Sequence, residues 1–417
     1  MSAPARRRVV ITGLGVICPV GNDVNTFWNA VLRGENGITR LDDFVAAGLT
    51  TVIAGRVKGF DAAVAFGDRK YARQTDPFVH YAVYAAEQAL KDSALNLESE
   101  DRSRIGCIIG SGIGGLEEIQ DGNRILIERG PGRINPFFIP KLMLNAAAGN
   151  VAIRFGLKGP NFATASACAA ANHALGAAFR TIQYNDADIM VCGGTEAAVT
   201  VLGMAGFCSA RAMSQRNDDP AHASRPFDKE RDGFVMGEGG GIAVFEELEH
   251  ARKRGAKIYA EVVGFGATDD AFHMTTPSED GEGAVRSMEN ALRDGGLKPQ
   301  DVDYINAHGT STEYNDRTET RAINKLFTDH AKKLMVSSTK SMIGHLLGAS
   351  GAVELVATAL AIQNDIAPPT RNLLVPDPEC NLDYVPHEGR AAKIRVAISN
   401  SFGFGGHNAT IALSKVR

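Results

Sequence analysis

The chain has 417 residues, with 44 Lys and Arg against 48 Asp and Glu, a net charge of −4, and 45 glycines. Hydrophobic residues make up 44% and charged residues 22%, which excludes extensive disorder, and the near-neutral balance argues against a chain-wide nucleic-acid footprint. Six cysteines, at 18, 107, 168, 192, 208 and 380, show no CxxC pair, so neither a zinc site nor a disulfide framework is written here.

The basic residues of segment 1–8 lead into Val9-Val10-Ile11-Thr12-Gly13, an apolar run too short for a secretory signal. The longest charge-free stretch, 159–179, carries Asn161, Thr164, Ser166, Asn172 and His173 and is too polar to span a membrane. A cytoplasmic protein is expected. Strands are predicted at 8–12, 105–109, 189–192, 242–246, 258–264, 304–307, 335–338, 396–399 and 410–413. Helices fall between them at 78–90, 170–182, 283–292, 317–327 and 352–362. This alternation predicts an α/β fold on mainly parallel sheets.

Two stretches repeat in the same order. Ala89-Leu90-Lys91-Asp92-Ser93-Ala94-Leu95, before the strand at 105–109 and a Gly-Ser-Gly turn, parallels Ala291-Leu292-Arg293-Asp294-Gly295-Gly296-Leu297, before the strand at 304–307 and His308-Gly309-Thr310. Ile182-Gln183-Tyr184-Asn185-Asp186 parallels Ile362-Gln363-Asn364-Asp365. An internal duplication follows, with related halves at 1–255 and 256–417 and no low-complexity linker between them, so the halves are expected to pack as one body.

Gly110-Ser111-Gly112-Ile113-Gly114-Gly115 formally satisfies GxGxxG. It does not open the first βαβ unit, and no acidic residue follows at a strand end, so tight turns are a better use for it than a dinucleotide. Cys168 differs from the other cysteines. Asn161-Phe162-Ala163-Thr164-Ala165-Ser166-Ala167-Cys168 reads as an extended run turning into a helix, which places Cys168 in the first helical turn. Free amides and the positive end of the helix dipole there favour a thiolate and can hold an oxyanion.

Asn306-Ala307-His308-Gly309-Thr310-Ser311-Thr312 sets His308 at a strand's C-terminal end, and Ser337-Ser338-Thr339-Lys340-Ser341-Met342-Ile343-Gly344-His345 does the same for His345. One thiol with two imidazoles suits acyl transfer from a thioester. Asn400-Ser401-Phe402-Gly403-Phe404-Gly405-Gly406-His407-Asn408 adds a glycine-rich loop able to approach the reacting centre.

This ordered set closely resembles the condensing enzymes of fatty-acid synthesis, the β-ketoacyl-[acyl-carrier-protein] synthases of the type II class. The resemblance runs from Val9 to the last strand. It implies a thiolase-like fold of duplicated halves in a five-layered α-β-α-β-α arrangement, acting as a homodimer without an organic cofactor. It also implies Cys168 as the acylated nucleophile, with His308 and His345 as partners, and Lys340 as the charge that organises the site with Glu354 as its companion. Thr310 and Thr312 would face a pantetheine arm. Ile113, Phe138 and Phe402 would bind substrate, Phe138 across the dimer interface. The amides of Cys168 and Phe404 would form the oxyanion hole, with Phe404 as a gate. Asn306, Glu354, Ser399 and Asn400 could surround a structural monovalent cation, with no catalytic metal. The partner would be an acidic acyl carrier protein carrying acyl or malonyl cargo, docking on basic residues such as Lys70, Arg73, Arg133 and Arg211.

Alternatives within reach are a polyketide ketosynthase and a non-condensing chain-length-factor-like partner. The latter is disfavoured because Cys168 is present. A thiolase would need a second active-site cysteine, and Cys380 lacks a glycine-rich loop. Ser166-Ala167-Cys168-Ala169-Ala170-Ala171-Asn172-His173, Gln74-Thr75-Asp76-Pro77 and His407 depart from the commoner family pattern.

Overall fold

Runs of β-branched and small residues pair into one ten-stranded main sheet in the computed structural model, which describes residues 6–416. The basic segment read at 1–8 therefore begins outside the described residues. The strands are β1 (Val9–Ile17), β2 (Ile105–Gly110), β3 (Asn161–Thr164), β4 (Ile189–Glu196) and β5 (Gly239–Glu247) in the first half. In the second half they are β6 (Ala260–Asp269), β7 (Tyr304–Asn306), β8 (Met335–Ser337), β9 (Val396–Gly403) and β10 (His407–Ser414). The order across the sheet is β8-β7-β9-β10-β6-β1-β5-β4-β2-β3.

Each half therefore runs third-second-fourth-fifth-first, and the halves meet where Val9 to Ile11 of β1 pair antiparallel with Val262 to Ala260 of β6. The strand directions repeat as well. In both halves the second strand is parallel to the third and fourth, while the fifth is antiparallel to the fourth and the first. The sheet is thus mixed, not mainly parallel. In the second half the reason is direct: β9 returns as β10 through a turn at Phe404-Gly405-Gly406, and such a short connection permits only antiparallel pairing.

Six helices build the layers: α1 (Pro77–Asp92), α2 (Ala146–Phe155), α3 (Ala170–Gln183), α4 (Glu282–Asp294), α5 (Glu313–Phe327) and α6 (Ser350–Asn364). The two sequence parallels fall on equivalent helices, α1 with α4 and α3 with α6. Helices α3 and α6 lie in the middle, against each other and between the two halves of the sheet. Accordingly α6 is buried on every side from Ser350 to Ile362, and its sequence there is apolar apart from Ser350, Glu354 and Thr358. Helices α1 and α2 cover the outer face of the first half, and α4 and α5 that of the second, completing five layers.

Strand alternation divides the core among these layers. On β2, Ile108 faces the middle helices while Ile105, Cys107 and Ile109 face α1 and α2. Among the described residues no helix is long and apolar enough to cross a membrane.

Candidate active site

The parallel strands of both halves send their C-terminal ends toward a common centre, where loops are free to carry chemistry. After β3 the chain turns at Ala167, whose φ is +47°, and enters α3 at Ala170. Hydrogen bonds from Ala169 N–H to Ser166 O (3.0 Å) and from Ala170 N–H to Ala167 O (3.1 Å) offset the left-handed strain at an alanine. Cys168 sits on this turn, two residues before α3, rather than within the first helical turn as the sequence implied. Burial pushes its thiol up to about 11, outweighing the charge of Lys340 and the amides of Phe404 and Cys168 itself. Desolvation thus reverses the expected resting thiolate.

His345 enters from the loop after β8. Its Nε2 lies 3.0 Å from Cys168 Sγ, and its Nδ1 lies 2.9 Å from Oγ of Ser350, the first residue of α6. His308 follows β7, its ring edge-to-face with that of His345 at 5.3 Å. The loop is fixed by Glu319 of α5, which accepts from the N–H groups of His308 (2.9 Å) and Gly309 (2.8 Å). Burial first, and the charge of Lys340 second, hold both imidazoles well below the ordinary histidine value, so they are neutral at pH 7. The donor atoms of Cys168, His308 and His345 all lie within 4.8 Å of one another.

Lys340 and Glu354 form a fully buried ion pair behind the histidines. Lys340 stays out of the cavity and acts on all three groups through its charge. The cavity itself, about 430 Å³, is lined by Cys168, His308 and His345. Ile113, Thr310, Thr312, Phe402, Phe404 and Arg211 join them. The hydroxyls of Thr310 and Thr312 are 2.9 Å apart, and Phe402 packs its ring on His308 at 5.8 Å. The loop at Gly403 lies against the nucleophile turn so closely that a Cβ there would meet Cys168 N at 3.1 Å.

Other predicted residues lie elsewhere. Phe138 does not line the cavity of its own chain; its ring covers Gly122 of the helix Leu116–Arg129. Arg73 borders a separate surface cleft with Arg69 and His80, Lys70 is on the same short helix, and Arg133 is exposed. His407 faces Asp269 at 3.4 Å and does not line the cavity. Cys380 is buried beside Asp377, also away from the cavity, which leaves a second thiol unavailable for thiolase chemistry there.

Of the residues expected around a cation, Asn306 Oδ1, Ser399 Oγ and Glu354 Oε2 are buried oxygens without a hydrogen-bond partner, and Asn306 and Ser399 are direct neighbours on β7 and β9. These three fit an ion. The Asn400 side chain does not, because strand alternation turns it to the opposite face. There it donates to Glu319 at 3.2 Å and accepts from Thr410 at 2.9 Å.

Sequence reasoning missed Ser350, Glu319, Glu196 and the loop at Asp270, which bonds Asn408 at 2.6 Å and is joined to the glycine-rich loop by Gly405 N–H to Met274 O at 2.7 Å. Only Glu196, closing Gly193-Gly194-Thr195-Glu196, carried a visible glycine signal.

A duplicated five-layered body with a thiol and two neutral imidazoles at the junction of its halves defines a thiolase-like ketosynthase. Residues 6–251 match the N-terminal domain of β-ketoacyl synthase and residues 259–374 its C-terminal domain. The chain belongs to the β-ketoacyl synthase family. It is 55% identical over 410 residues to 3-oxoacyl-[acyl-carrier-protein] synthase 2 of Synechocystis sp., covering 98% of both proteins. Among solved structures, a β-ketoacyl synthase from Burkholderia phymatum superimposes with a TM-score of 0.92 at 36% identity, covering 99% of this chain and 100% of that one. A type II PKS acyl-carrier protein in complex with its ketosynthase bound to the hexaketide gives a TM-score of 0.92 at 35% identity, with coverage of 99% and 100%.

Proposed function

We propose that the protein elongates fatty acids by condensing malonyl-acyl carrier protein with an acyl chain held on Cys168, giving 3-oxoacyl-acyl carrier protein and CO2. The observation that carries this reading is the 3.0 Å approach of His345 Nε2 to Cys168 Sγ in a cavity that also holds His308. The relatives named 3-oxoacyl-[acyl-carrier-protein] synthase 2, up to 55% identical over nearly the whole chain, support it.

In the first half-reaction the Cys168 sulfur attacks the acyl thioester and loses its proton. The oxyanion is received by the amides of Cys168 and Phe404, and the carrier thiol leaves with a proton. A neutral His345 can serve both phases. With Nδ1–H donating to Ser350 Oγ, the bare Nε2 takes the thiol proton. With the Ser350 hydroxyl donating to Nδ1, Nε2–H becomes a donor. In the second half-reaction the malonyl C–CO2 bond breaks and its electron pair forms an enolate, whose oxygen is held by N–H groups of His308 and His345. The enolate carbon then attacks the acyl carbon, and the cysteine sulfur leaves.

Lys340, balanced by Glu354, adds to the burial that keeps both imidazoles neutral and assists loss of the thiol proton. Thr310 and Thr312 face the pantetheine arm, Ile113 bounds the acyl pocket, and Phe402 and Phe404 enclose the reacting carbon. A structural monovalent cation at Asn306, Ser399 and Glu354 would neutralise the second Glu354 oxygen and take no part in bond making. The halves divide near Gly255, one bringing the nucleophile and the other both histidines. The fatty-acid reading places the protein in the cytoplasm, and a homodimer is supported by Phe162 exposed on the edge strand β3 and by Ile153, 82% exposed on α2; in it, Phe138 would reach the partner's pocket.

A polyketide ketosynthase is the second reading, supported by the likeness to a ketosynthase bound to a hexaketide. Acyl carrier substrates of increasing length, offered with malonyl carrier protein and read by product mass, separate the two. One two-carbon extension per turnover is expected; products carrying several unreduced keto groups would favour the second.

A further inference from the structure

Strand β4 ends on Glu196, a fully buried carboxylate that the chemistry above does not use. One of its oxygens accepts from Ser111 Oγ (2.9 Å) and Ile113 N–H (3.2 Å). The other accepts from Gly112 N–H (2.7 Å) and Gly348 N–H (2.9 Å). Burial pushes the Glu196 carboxyl above the ordinary value, and the hydrogen bonds from Gly112, Ser111, Gly348 and Ile113 oppose that shift by favouring the charged form.

The donors belong to different halves. Ser111 to Ile113 follow β2 and supply a wall of the cavity at Gly112 and Ile113. Gly348 lies three residues after His345, on the loop whose Leu347 also lines the cavity. The loops meet at backbone distance: a Cβ on Gly348 would lie 2.1 Å from Gly112 N and 2.6 Å from Glu196 Oε2. The pocket wall therefore cannot shift away from the histidine loop unless the carboxylate releases its amides.

We propose that Glu196 is a selectivity-determining positioning residue, which ties Gly112 and Ile113 to Gly348 and so fixes how far an acyl chain on Cys168 can extend. The proposal rests on the acyl-transfer reading given above. The carboxylate has a second effect on the same site. Cys168 is faced by His345 and His308 and lies within reach of the positive charge of Lys340, and Glu196 opposes that charge, adding to the burial that holds the thiol protonated.

The experiment compares wild type, Glu196→Gln and Glu196→Asp. Loading of octanoyl and palmitoyl carrier protein onto Cys168 is read by intact mass, and iodoacetamide labelling of Cys168 is followed against pH. The amide places an NH2 against at least one backbone N–H in either orientation, and the aspartate is one methylene too short to reach both loops. The palmitoyl-to-octanoyl loading ratio is expected to change about tenfold in both variants. The labelling midpoint is expected to fall by about half to one pH unit in Glu196→Gln and to stay in place in Glu196→Asp, which keeps the charge. A ratio within about twofold of wild type in folded variants overturns the proposal. If Glu196→Gln does not fold, the ratio in Glu196→Asp decides alone. A wild-type protein that loads no acyl chain would instead strike the acyl-transfer reading, so the two failures are distinct.

Discussion

His345 Nε2 and Cys168 Sγ lie 3.0 Å apart although 177 residues separate them, one on the nucleophile turn of the first half and the other on the equivalent loop of the second. The opposite side of that imidazole is held by Ser350 at 2.9 Å, and the hydroxyl can accept from Nδ1–H or donate to bare Nδ1, so it supports either tautomer. Ser350→Ala is expected to lower kcat about five- to tenfold, the equivalent of one hydrogen bond, with KM little changed. Steady-state kinetics check this. An unchanged kcat would show that Ser350 does not support His345 in the reaction.

The thiol of Cys168, pushed up to about 11, is mostly protonated at neutral pH. Iodoacetamide labelling should therefore rise about tenfold per pH unit through the neutral range, since the thiolate is the reactive form. Cys18, Cys107, Cys192 and Cys380 are buried outside the cavity, leaving the half-buried Cys208 as the competitor, so peptide mapping with a Cys208→Ser control is the appropriate readout. A rate already on its plateau at pH 7 would contradict the burial argument.

Lys340 and Glu354 are both buried, so removing one partner strands the other. Lys340→Met should cost about 3–5 kcal/mol of stability, and Lys340→Met combined with Glu354→Leu should recover much of it without recovering condensation. Loss of the charge also moves the His308 and His345 values upward, since Lys340 is the second cause of their depression. The acidic limb of the activity profile should then shift toward neutral pH. In the wild type the sign of the stability effect is fixed: as pH falls through the ordinary histidine value near 6.5, the unfolded chain takes up protons that the buried rings refuse, and stability falls. Thermal melts across this range test both statements.

Arg211 lines the cavity that Arg73, Lys70 and Arg133 do not reach. If an acidic carrier protein delivers its arm there, Arg211→Glu should raise the KM for carrier-bound substrate about tenfold while leaving Cys168 labelling unchanged. Equal, small effects at all four positions would place the docking face elsewhere.

Much of this was legible in the sequence because it rests on local pattern. Apolar runs marked nine of the ten strands of the main sheet, β3 being read only as an extended run, and the repeated helix ends at 89–95 and 291–297 fell on α1 and α4, equivalent helices of the two halves. The glycine-rich loops also marked His308 and His345, and the extended run turning into a helix marked Cys168, before their contacts were visible. What escaped depends on long-range geometry. Strand direction in the first half follows from a long connection between β4 and β5 that carries no short turn signal. The thiol's protonation depends on burial, which a helix-end argument does not capture. Glu319 and Ser350 are ordinary helix residues until the fold brings one under the His308 loop and the other against His345.

The central claim is that Cys168 carries the acyl chain. Mixing the protein with acyl carrier substrate in the absence of malonyl carrier protein, then measuring intact mass and mapping the modified peptide, tests it directly. The account predicts one acyl thioester per chain, on Cys168, lost in Cys168→Ala while the thermal unfolding transition is retained. Acylation at any other residue, or condensation that persists in Cys168→Ala, would contradict it.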